Sequence, residues 1–74
     1  MGAAMKVSYT RLWEELDKQK ILKRKFRSDS GIGSSTYSKL VNNENVSTAS
    51  LVKICDYLNC DLADVVECID EKEI

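Results

Sequence analysis

The stretch that most constrains this chain is Lys20-Ile-Leu-Lys-Arg-Lys-Phe-Arg-Ser-Asp-Ser-Gly-Ile-Gly-Ser-Ser-Thr-Tyr-Ser-Lys-Leu-Val-Asn-Asn-Glu-Asn45. Proline is absent and only three glycines occur, two of them at Gly31 and Gly33. Glycine reaches positive φ without a Cβ penalty, so Gly31 predicts a helix end and Gly33 a tight re-entry into the next helix. A basic helical segment therefore turns sharply into a short, serine-started one. In 74 residues this order of parts leaves room for little beyond one small domain.

Elsewhere apolar residues recur at three- and four-residue steps without strand-like alternation, which predicts an all-α domain of five helices. Ser8 is the expected N-cap of the first, whose core face is Tyr9, Leu12, Trp13 and Leu16. Ile21 falls in the link. The second helix, residues 22–29, has a narrow apolar stripe of Leu22 and Phe26, and Ile32 reads as a buried plug between helices. In the third, residues 34–41, Ser34 and Ser35 are placed to satisfy first-turn amides while Tyr37 and Leu40 point inward. Asn42, Asn43 and Asn45 then form a loop. The fourth, residues 48–58, carries Leu51, Ile54, Cys55 and Leu58, and Asn59 ends it. The fifth, residues 62–68, has Asp61 as N-cap and Asp64 in the capping-box position, with Leu62, Val65, Val66 and Ile69 closing the core. Residues 1–4 read as a cloning remnant before a native Met5, residues 5–70 as the domain, and residues 71–74 as a frayed acidic tail.

Composition excludes more than it selects. No signal-peptide pattern occurs and no apolar run approaches the roughly 20 residues a membrane span needs, so a cytoplasmic location is expected. Histidine is absent, and the three cysteines, Cys55, Cys60 and Cys68, form no C-x-x-C pair, so reduced thiols are expected and no metal site or cofactor. Without a nucleophile–base set or a glycine-rich phosphate loop, no enzyme activity is expected. Net charge is −1, yet its distribution is uneven. Lys18, Lys20, Lys23, Arg24, Lys25 and Arg27 crowd one stretch, while Asp56, Asp61, Asp64, Glu67, Asp70, Glu71 and Glu73 gather toward the end. A near-neutral chain so divided can bind a polyanion through its basic front.

Two short helices about a glycine turn are the parts of a helix-turn-helix. In that arrangement the first helix crosses the DNA backbone and the second inserts its N-terminal residues into the major groove. The chain resembles the Cro/repressor-type (XRE-type) helix-turn-helix family, and especially a small single-domain subgroup. The likeness is carried by Ser8-Tyr9-Thr-Arg-Leu-Trp13, Gly31-Ile-Gly-Ser-Ser-Thr36, Asn43-Glu-Asn-Val-Ser-Thr48, Leu51-Val-Lys-Ile-Cys55 and Leu58-Asn-Cys-Asp61, across residues 7–69. The resemblance implies a five-helix, lambda-repressor-like domain with duplex DNA as its ligand. It implies base contacts from Ser34, Ser35, Thr36 and Lys39, and phosphate contacts from Lys23, Arg24, Arg27, Asn42 and Asn43. Where relatives carry a small residue this chain has Arg27, whose stem must lie on the core edge with its guanidinium snorkelling outward.

The reading is thus a DNA-binding transcriptional regulator, a repressor, from a bacterium or its phage or mobile element. It would act as a homodimer touching through Val65, Val66 and Ile69, with no effector evident. The alternative is a protein-interaction or antitoxin-like module on the same scaffold.

Overall fold

The computed structural model describes residues 5–70; the expected remnant and tail, residues 1–4 and 71–74, lie outside the described residues. Among the described residues four α-helices occur, not five: α1 (Thr10–Lys18), α2 (Lys23–Asp29), α3 (Ser34–Val41) and α4 (Thr48–Leu58). Two short strands, β1 (Met5–Ser8) and β2 (Glu67–Asp70), pair antiparallel with Val7 opposite Cys68. The expected fifth helix is only one 3₁₀ turn, Leu62–Asp64, although its cap is as read: the Asp61 and Asp64 side chains form a reciprocal capping box. Beyond Asp64 the chain straightens. The 3-1-3 spacing of Leu62, Val65, Val66 and Ile69 suits a turn running into a strand as well as it suits a helix. Pairing with β1 decides the matter.

The same pairing displaces the expected first cap. Ser8 is buried at the end of β1, opposite Glu67, and the N-cap position falls to Tyr9. Tyr9 makes the entry of α1 a long-range joint. Its N–H donates to Asn43 Oδ1 at 3.2 Å, and its buried hydroxyl donates to the Glu44 carbonyl at 2.8 Å. Leu22 also departs from expectation. It is the extended N-cap of α2, 64% exposed, because the helix starts one residue later and half-buried Ile21 takes the core contact. The core proper is Tyr9, Leu12, Leu16, Phe26, Ile32, Leu40, Ile54, Leu58 and Val65. Val65 therefore closes the monomer.

Helix ends explain the tight connections. In a Schellman ending a left-handed residue follows the cap and the next N–H returns to the carbonyl five residues back. Lys20, Asn43 and Asn59 take the left-handed place at φ 60, 56 and 55. The returning bonds are Ile21 to Leu16 at 2.8 Å, Glu44 to Lys39 at 2.8 Å and Cys60 to Cys55 at 3.1 Å. The motif brings those same side chains together, and two of the pairs are apolar.

The thiol pair feels this. Burial first, then the neighbouring Cys55, push the Cys60 thiol up to about 11, and burial raises Cys55 in the same direction. Unfolded, the thiol ionises near 9.0. Between those two values the folded state binds more protons than the unfolded one, so stability is held below about pH 9 and falls as pH rises toward 11. Urea midpoints measured across that window should fall, and C55A/C60A should flatten the fall. An equally steep fall in the double variant would place the titration elsewhere.

Gly33 offers a second test. It sits at φ 82, ψ 159, a region essentially reserved to glycine, and an added Cβ would meet nothing within 4 Å. G33A should then cost about 1–3 kcal/mol by backbone strain alone. A urea midpoint unchanged in G33A would show that the turn relaxes freely.

Candidate nucleic-acid interface

The interface is built on two helices and four connecting residues. α2 ends at Ser30, Gly31 turns at φ 80, Ile32 inserts into the core at 7% exposure, and Gly33 starts α3. The plug and the two glycines fix how α3 leaves α2. Lys53 of α4 braces the turn by donating to the Gly31 carbonyl at 3.4 Å, a contact with no local sequence signal.

α3 opens without the expected serine cap. Gly33 occupies the N-cap position and no side chain caps the first turn, because the serines begin the helix proper instead of preceding it. The first-turn amides and the positive end of the helix dipole thus carry no side-chain cap. Ser34, Ser35 and Lys39 are exposed, with Ser35 and Lys39 one turn apart on a common face, whereas Thr36 is half-buried. Leu40 is fully buried and Tyr37 half-buried, so the core side of α3 is as expected.

The basic stretch divides into distinct roles. Lys25 Nζ lies 2.9 Å from Asp29 Oδ2, one turn on, and each charge holds the other: Asp29 raises the lysine and Lys25 lowers the carboxyl. Lys23, Arg24 and Arg27 are exposed and make no ion pair among the described residues. Lys23 Nζ stands 4.8 Å from the Trp13 ring centroid, and Arg27 Cζ stands 5.6 Å from that of Tyr37. Arg27 does snorkel, with an aromatic face beneath it.

Past α3 the loop is already partly committed. Asn43 Oδ1 accepts from Tyr9, and Asn42 Nδ2 donates one hydrogen to the Ser38 carbonyl at 3.0 Å. Each amide keeps a hydrogen to offer a phosphate oxygen. Asn42, Asn43 and Asn45 line an open groove together with Lys39, Glu44 and Lys6 of β1. Lys6, 33 positions before Lys39 in the chain, reaches this groove only through the strand pairing. No helix among the described residues is long and apolar enough to cross a membrane.

This arrangement is matched by known proteins. The family model of the Cro/C1-type helix-turn-helix DNA-binding domain matches residues 11–71. Among solved structures, the crystal structure of the transcriptional regulator VanUg, form II, is similar at a TM-score of 0.87 and 45% sequence identity, covering 90% of this chain and 89% of that one. No curated protein sequence matches.

Proposed function

The chain belongs to the Cro/C1-type helix-turn-helix DNA-binding family, and on that premise we propose that it is a sequence-specific transcriptional regulator, acting as a repressor. Its likeness to a transcriptional regulator at 45% identity supports the transcriptional part. The observation that carries the reading is the start of α3, an uncapped first turn with exposed Ser34 and Ser35, following a helix whose exposed Lys23, Arg24 and Arg27 make no ion pair among the described residues. In this reading α3 enters the major groove, and Ser34, Ser35, Thr36 and Lys39 approach base edges. Lys23, Arg24, Arg27, Asn42 and Asn43 seat the backbone, which fixes register without carrying sequence information. The protein works by occupancy, not by catalysis.

One such module buries a modest interface, so two copies on a palindrome, with half-sites about one helical turn apart, give the affinity a regulator needs. Val66 and Ile69 are half-buried and can serve that contact, while Val65 has no exposed surface to contribute.

The test begins with selection of a preferred site from randomised duplexes. Replacing Ser34 and Ser35 by alanine should then cut discrimination for that site about tenfold, at the lower end of the roughly 1–3 kcal/mol of a bidentate base contact, because each serine pairs through a single hydroxyl. Generic affinity should change far less. An equal loss on every sequence would reject base reading by α3.

A further inference from the structure

Trp13 comes from α1 and Tyr37 from α3, and the two rings meet edge to face with centroids 6.1 Å apart and planes at 74°. Over them stand two of the four cations of α2, Lys23 on Trp13 and Arg27 on Tyr37. Lys23 and Arg27 are four residues apart, hence one turn apart on a single face. Both rings are half-buried and both cations exposed. Packing accounts for the rings' burial, but it does not require a positive charge above each.

We infer that Trp13 and Tyr37 are positioning residues for DNA binding, gathering the Lys23 ammonium and the Arg27 guanidinium into a two-point phosphate clamp before the DNA arrives. The inference rests on the proposed function, since it concerns how the same surface meets a phosphodiester backbone. Long cationic stems lose rotamer freedom when they seat on a phosphate. A ring that draws the cation onto its face transfers part of that loss to folding. Aromatic rings also hold a cation without neutralising it, because the attraction comes from the ring quadrupole and leaves the full charge for the ligand. The same helix shows the other outcome, for Lys25 is tied to a carboxylate instead.

Double-mutant cycles on a random-sequence duplex at low salt test the clamp. W13L should weaken binding about 2–5-fold, as expected for a partly exposed cation–π contact, and W13F should fall between it and the native protein. In a K23Q background W13L should cost nothing, and Y37L should likewise cost nothing in R27Q. A second measurement does not depend on any variant folding. The Lys23 ε-methylene protons should be shifted upfield by the indole ring in the native protein, both free and bound to duplex. Unshifted protons, loss of the shift on binding, or an undiminished W13L cost in K23Q would overturn the inference. If the native protein binds no duplex, the proposed function falls and the clamp with it. If it binds with a salt dependence that K23Q reduces, yet the cycles show no coupling, the clamp alone falls.

Discussion

Replacing Phe26 by alanine should leave the domain largely unfolded at physiological temperature. The Phe26 ring is completely buried, with the rings of Tyr37 and Tyr57 at 6.4 and 6.0 Å. It is the only buried residue of α2, so it is that helix's main anchor in the core. Deleting such a ring costs about 3–5 kcal/mol. Small domains are held by roughly 5–15 kcal/mol, and one of this size lies toward the lower limit. The urea midpoint should fall by half or more, whereas F26L, which keeps most of the volume, should remain folded. A midpoint within error of the native value would mean that α2 is held by contacts other than this ring.

The second large effect concerns DNA. Replacing Lys23 and Arg24 by alanine removes two of the exposed cations that lack a carboxylate partner among the described residues. Each phosphate contact contributes about 0.9 to the slope of log affinity against log salt, so the slope should fall by about 1.8. Because phosphates carry no sequence, the loss should be alike on the selected site and on random duplex. K25A supplies the contrast. That lysine is paired with Asp29, and its removal should barely change the slope. A slope unaltered in the Lys23/Arg24 variant, or lowered equally by K25A, would refute this division of the basic stretch.

The second result depends on a partition within one mostly basic segment. Within residues 20–30 alone only Lys25 is set apart, by Asp29 four positions on. Which of the other cations meets an aromatic ring is set by α1 and α3, neighbours in space that come before and after the segment in the chain. Trp13 and Tyr37 were both legible as inward-facing residues, and both are half-buried. Their service to Lys23 and Arg27 was not, because no local spacing joins positions 13 and 23, or 27 and 37.

What the sequence determined by itself is everything that depends on near neighbours. The bounds of α3 and α4, the left-handed turn at Gly31, the plug at Ile32, the helix end at Asn59 and the capping box at Asp61 and Asp64 all agree with the expectation. Each follows from 3.6-residue periodicity, from a glycine or asparagine that tolerates positive φ, or from a side chain reaching its own helix end. Tertiary structure decided what depends on distant pairing. Four-residue strands are too short to show alternation, and β1 and β2 stabilise each other only across the length of the domain. Their pairing replaced a fifth helix by a 3₁₀ turn, took Ser8 away from α1 and carried Lys6 to the groove beside Lys39. The helix-turn-helix was written in the chain; the company its charges keep was settled by the fold.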